Sequence, residues 1–452
     1  MTLLNHSLDA AAPRPSACPG LLRIVAARDG GICRIKLPGG RLDAAQARAI
    51  AAAATACAGG VLEATNRANL QIRGVLPGRE AELIERLLAA GLGAASAGGD
   101  DVRNLMLSPA AGHDPQALAD TRPLAAALLE RLESEPRWHA LSPKFAVQLD
   151  GGEALAMLDH PHDLWLAALP GAPVYAFGLA GCPPQQAGDA PALAAVPAAQ
   201  AAELVFAVLE LFLDCATPEQ TRMRQLLESL PAAELLARLR ERHSQLELRQ
   251  DAALAAWRRA PAAPLLRFGV QAQCEAGLRQ VGAQAVLGRL DAAQLAALAD
   301  LCERHGDATL RLTPWQGVLL PNVPAAAAAA LAADLHNLGL LTDPATPLAR
   351  LVACTGQSGC ARALAGTKAD ALALAELLPA GAELPVVHLS GCPRSCASAQ
   401  VAPYTLLATA PGRYRLLARV PGVAGFGREL ADHLTIEQAA ARLAAPCPEF
   451  PA

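Results

Sequence analysis

Lysine is nearly absent from this chain: Lys36, Lys144 and Lys368 are the only three in 452 residues, and arginine carries the rest of the positive charge. A net charge of −4 leaves no basic excess, which argues against broad nucleic-acid binding. No apolar run is long enough to cross a bilayer. The most apolar stretch, near residues 202–215, is broken by Glu203, Glu210 and Asp214 and reads as a buried amphipathic helix. The N-terminus lacks a basic segment followed by an apolar one, so no secretory leader is expected. Missing too are a glycine-rich dinucleotide fingerprint, a nucleophile elbow and a zinc-protease helix.

What is present is a folded chain, 53% hydrophobic and 18% charged, too long for one ordinary core. Alanine is abundant, and the run within residues 323–334 reads as a compositional helix. Twelve cysteines without an export signal imply a reducing cytoplasm, where thiols bind metals or stay free. Most of those outside the motifs below are expected to be small buried apolar residues.

The chain repeats itself. Gly40-Arg41-Leu42-Asp43-Ala44-Ala45-Gln46 returns as Gly288-Arg289-Leu290-Asp291-Ala292-Ala293-Gln294, a displacement of 248 residues. The same displacement aligns Thr65 with Thr313, Leu70 with Val318, Ile72 with Leu320 and Val75 with Val323. Each copy reads as a strand, a turn, a helix opened by Asp43 or Asp291, and an alternating strand such as Leu70-Gln71-Ile72-Arg73. Two halves related by an approximate two-fold axis follow, with a binding site expected where they meet. Boundaries fall near residues 80–100, 250–262 and 335–348.

The chemistry lies in two cysteine pairs. Cys354 and Cys360 are spaced C-x5-C, and Cys392 and Cys396 are spaced C-x3-C. Four thiolates are what a [4Fe–4S] cluster requires. Gly356, Gly359, Gly391 and Pro393 let backbone wrap closely around it. Structural zinc, disfavoured by the x5 spacing, and unligated thiols remain the alternatives. A disulfide is disfavoured by compartment.

The cysteine spacing and the repeat together resemble the nitrite and sulfite reductase family. That resemblance implies an α+β fold of duplicated ferredoxin-like half-domains and sulfite-reductase-type α/β domains with pseudo-two-fold symmetry. The expected units are 18–85, 95–250, 262–335 and 345–445, the last carrying the cluster ligands. Within the family, three segments resemble the precorrin-3B synthase branch: Cys18-Pro19-Gly20-Leu21-Leu22-Arg23, Pro38-Gly39-Gly40-Arg41-Leu42 and Leu310-Arg311-Leu312-Thr313-Pro314-Trp315. His388-Leu389-Ser390-Gly391-Cys392 points the same way, whereas Cys354-Thr355-Gly356 and Gly366-Thr367-Lys368 read more like the reductases.

The narrower resemblance implies a monooxygenase of cobalamin biosynthesis. It would hydroxylate precorrin-3A at C20 and close a γ-lactone, with O2 as oxidant, NADH electrons arriving through a separate reductase, and a non-haem iron. The rival expectation is a sirohaem-dependent nitrite or sulfite reductase. A third is a non-catalytic zinc or cluster protein, which leaves the arginines below unexplained.

The family resemblance also places the groups that would hold an acidic macrocycle. Arg67, Gln71 and Arg73 alternate and are expected on one face of a strand, and Arg103, Asn104 and Lys144 match two further segments. Guanidinium groups suit this work because they fork onto carboxylates. In many reductases an arginine stands where Pro143 is, so one such contact is expected to be missing or moved. Asp159-His160-Pro161-His162-Asp163 offers non-haem-iron ligand types, so His160, His162 and Asp163 form a candidate iron set; turn formation and helix capping are the competing reading.

Overall fold

The computed structural model describes residues 18–379, 384–420, 423 and 425–444. Its organising feature is the repeat. The helix Ala44–Cys57 has its counterpart in Ala292–His305, the strand Gly30–Ile35 in Leu278–Gln284 and the helix Glu80–Ala89 in Ala328–Asn337, each at the displacement seen in the sequence. Asp43 and Asp291 both close capping boxes, with Gln46 and Gln294 returning the bond. Each thereby satisfies amides that a helix start leaves without partners.

The halves exchange a strand. Arg289–Asp291, from the second copy, pairs with Val61–Ala64 of the first; Arg41–Asp43, from the first, pairs with Thr309–Leu312 of the second. Each five-stranded antiparallel sheet therefore contains one strand of the other half. A single core joins them, with Ile50, Leu62 and Ile72 packed in the same cluster as Leu295, Leu310 and Leu320.

Two further five-stranded sheets share a second internal likeness. One runs Leu105–Met106, Val147–Asp150, His162–Ala168, Val174–Gly181, Ala194–Pro197; the other runs Leu351–Ala353, Val387–Ser390, Tyr404–Ala410, Arg413–Ala418, Arg428–Leu434. In both, the first two pairings are parallel and the last two antiparallel. The first of these sheets is covered by the apolar helix Ala201–Cys215, within which Leu204, Val208 and Leu211 are fully buried. Its burial agrees with the amphipathic reading. Among the described residues no helix is long and apolar enough to cross a membrane.

Candidate redox site

Both cysteine pairs leave the carboxyl ends of neighbouring parallel strands. Cys354 follows Leu351–Ala353 and Cys392 follows Val387–Ser390, which pair in parallel with Ala353 opposite Leu389. This is where open α/β sheets gather ligands. Burial raises the Cys396 pKa, and the charges of Cys392, Cys354 and Cys360 raise it further; the four thiols are thus electrostatic neighbours. The Gly391 amide donates to Cys354 Sγ at 3.2 Å, as a thiolate within a cluster requires. A Cβ on Gly391 would lie 2.6 Å from that of Ala363, so this approach needs glycine. None of the eleven described cysteines is in a disulfide. No group among the described residues is arranged to hold a single metal ion. A four-iron cluster, by contrast, spreads its thiolates across the width of a cube.

The cysteine loop is fastened to the first half-domain. Buried Arg73 donates to Asp29 through Nε and Nη2, both at 2.9 Å, and to the Gly359 carbonyl at 3.0 Å. Glu63 accepts from Thr355 at 3.0 Å and from Arg289 at 2.9 Å, with Lys368 Nζ at 3.7 Å and Arg73 Nη1 at 3.6 Å. Burial would push the Glu63 carboxyl up, but Lys368, Arg73 and Arg289 outweigh it and hold it below the ordinary range. Glu63 thus ties both halves to the loop that carries Cys354 and Cys360. Sequence reasoning missed it, because a lone glutamate in a strand carries no local signal.

The arginines expected to hold a macrocycle separate into engaged and available ones. Arg73 is engaged as described. Arg103 pairs with Glu133 at 3.0 Å, and Asn104 donates to the carbonyls of Asp101 and Pro143. Lys144 is exposed. Arg67 lies in the turn before the strand Leu70–Val75, beside Ala68 at φ 55°, so only Gln71 and Arg73 share the strand face. Its guanidinium has no carboxylate within ion-pair distance among the described residues. Burial, then the charges of Arg222 and Arg34, pull its pKa down to about 10.

Arg34 was not anticipated. It stands opposite Gln71 and donates to the Gln71 carbonyl oxygen at 2.8 and 3.1 Å in the amide orientation that satisfies both. Cys18 and Cys396 both lie within its electrostatic reach. Strand pairing was the missing signal, since Arg34 meets this group only across Gly30–Ile35 and Leu70–Val75.

His160 and His162 do face one side, as an extended segment requires, with ring centroids 4.9 Å apart. Burial and Arg67 lower the His160 pKa to about 3, while burial and His160 push that of His162 well below its ordinary value. Both imidazoles are therefore neutral. The iron set built on them fails at Asp163, whose oxygens already accept from the amides of Ala146 and Met223 and from Arg222. A carboxylate so fully occupied has no lone pair to offer a metal, and it serves to join the chain segments around it.

Residues 26–90 and 275–338 match the nitrite/sulfite reductase ferredoxin-like half domain, and residues 98–246 match the nitrite and sulphite reductase 4Fe-4S domain. The ferredoxin–nitrite reductase of Synechococcus elongatus is 34% identical over 405 residues, covering 83% of this chain and 76% of that protein. The chloroplastic enzyme of Arabidopsis thaliana is 33% identical over 392 residues, covering 82% and 66%. The chain belongs to the nitrite and sulfite reductase family. It spans about two thirds of the length of that plant relative. Sulfite reductase [ferredoxin] 2 of Mycolicibacterium paratuberculosis is 28% identical, covering 82% and 68%. The structure of Mycobacterium tuberculosis NirA superposes with a TM-score of 0.73 over 91% of this chain and 79% of that one, at 23% identity, which establishes the shared fold.

These relatives overturn the precorrin-3B synthase expectation, and with it the monooxygenase reaction, precorrin-3A, O2 and NADH. The segments that suggested it serve the half-domain fold. Gly40, at φ 69°, would place a Cβ 2.1 Å from the Leu312 carbonyl oxygen, and Leu21, Leu310 and Leu312 are fully buried. Such positions are held by packing and say nothing of substrate. Within residues 98–246 the only cysteines are Cys182 and Cys215, so the four thiols lie outside that matched stretch, in the second of the two like sheets.

Proposed function

We propose that the protein is a sirohaem-dependent reductase of nitrite, with sulfite as the second substrate to be tested, drawing electrons from a ferredoxin-type carrier. The likeness to ferredoxin–nitrite reductases over four fifths of the chain carries this reading. Nitrite comes first because those relatives are 33–34% identical, against 28% for the sulfite reductase.

The residues fit the two groups such a reaction needs. Cys354, Cys360, Cys392 and Cys396 would hold the cluster, and the Gly391 amide lowers the cost of negative charge on sulfur. Arg67, half-buried and without a carboxylate within ion-pair distance among the described residues, would accept one carboxylate of the tetrapyrrole, and Arg34 a second. Gln71 fixes the Arg34 plane. Neutral His160, whose Nδ1 has no partner, can offer a hydrogen bond on the same side. When bound, sirohaem would supply the iron that binds the oxyanion and passes it electrons. Arg73 and Glu63 hold the cysteine loop against the half-domain, which keeps cluster and macrocycle positions in register.

The test is anaerobic purification with a visible spectrum, iron and sulfide assays, and reduction of nitrite and of sulfite by reduced methyl viologen. Sirohaem bands with nitrite turnover are expected. A cluster spectrum free of tetrapyrrole, with neither oxyanion consumed after sirohaem reconstitution, would sink the proposal.

A further inference from the structure

The pseudo-two-fold axis exchanges two strand pairs whose charges do not match. On one side Arg289 stands directly opposite Glu63, and the two form an ion pair at 2.9 Å. At the symmetric place Arg311 occupies the position of Glu63 and stands opposite Arg41. Like charges facing each other across a ladder destabilise it. Arg311 is nonetheless 4% exposed, its Nε has no partner, and no carboxylate lies within ion-pair distance among the described residues. Among the described residues its side chain makes one polar contact, with His113 Nε2 at 3.0 Å.

The neighbours do not repair this. Burial, then Arg311 and Arg122, lower the His113 pKa to about 4, so the imidazole is neutral. Arg122 and Arg41 both act on Arg311 as repelling charges. Asp120 and Asp307 are within electrostatic reach. However, Asp120 receives three bonds from the Arg122 side chain, and Asp307 is held by Thr309 and Asn322. A buried cation without a paired anion is costly, and arginines that converge with free donors make an oxyanion receptor.

We propose that Arg311 and Arg41 form a binding site for a small inorganic oxyanion, at the position that mirrors the Glu63 hub, with Arg122 at its edge. Arg311 supplies the floor and exposed Arg41 the mouth, while Arg122, held by Asp120 through Nε and Nη2, contributes charge from the side. The site is separate from the redox face, and the proposal does not depend on the substrate assigned above.

Inorganic phosphate titrated calorimetrically into the holoenzyme at constant ionic strength, with sulfate as competitor, tests it. One saturable site is expected, weakened about tenfold or more by Arg41→Gln, as loss of a charge-assisted bond implies. Arg41 is exposed, so this variant keeps the test decisive even where Arg311→Gln fails to fold. Phosphate captured instead by the redox-face arginines would be lost in Arg67→Gln and retained in Arg41→Gln. That pattern, or no saturable binding in the wild type, overturns the proposal.

Discussion

At Glu63 a single carboxylate meets groups from three parts of the chain: Arg73 from its own sheet, Arg289 from the exchanged strand, and Thr355 with Lys368 from the unit that carries the cysteines. Glu63→Gln keeps the shape and removes the charge. Breaking a buried ion pair from one side costs about 3–5 kcal/mol, so the urea midpoint should fall accordingly. Cluster absorbance should also bleach faster under a chelator, although no ligand has changed. An unchanged bleaching rate would reduce Glu63 to a packing role. Arg67→Ala should instead leave the cluster intact and weaken tetrapyrrole retention, by about 1.5–3 kcal/mol for a lost charged hydrogen bond; the check is the sirohaem-to-iron ratio after dialysis. The cysteine quartet was legible because its spacing is a local property of the chain. Glu63, Arg34 and Arg222 were not, since their meaning arises from partners that only folding brings near. Arg73 was singled out for a ligand, yet its donors are taken by Asp29 and Gly359.

Among the elements, the repeat was readable because both copies kept one register through a helix and two strands. The exchange of Arg41–Asp43 and Arg289–Asp291 between sheets was not, because a three-residue strand pairs equally well with either neighbour in a one-dimensional reading. The turn feeding this exchange can be tested against a neutral one. Gly40→Ala would drive a Cβ to 2.1 Å from the Leu312 carbonyl oxygen, whereas a Cβ on Gly412, at a similar φ of 63°, meets nothing within 4 Å. Both substitutions bear the left-handed backbone cost of about 1–3 kcal/mol. Only Gly40→Ala must also displace a strand of the other half. Thermal unfolding should therefore fall several degrees further for Gly40→Ala than for Gly412→Ala, and equal shifts would mean that the exchanged strands yield freely.

At the scale of the whole molecule, four imidazoles among the described residues are buried: His113, His160, His162 and His388. His388, beneath the cysteine-bearing strand end, has neither ring nitrogen bonded, and burial lowers its pKa to about 4. An unfolded histidine takes up its proton near pH ~6.5. Between that value and about 4 the unfolded chain binds a proton at this position and the folded chain does not. Stability is thus intact above ~6.5 and lost as pH falls, by up to about 1.4 kcal/mol per pH unit for each such histidine. Because the four sit in both of the like sheet units, acid should weaken the molecule as a whole and not one end of it. Urea midpoints at pH 7, 6 and 5 should therefore fall steadily in the wild type. In His388→Phe, which fills the same space and faces Phe426 with the ring centroids now 6.3 Å apart, the fall should be shallower by one histidine's share. A parallel fall in the two proteins would show that His388 is already protonated in the folded state, and that the proton has found a partner the unbonded ring does not have here.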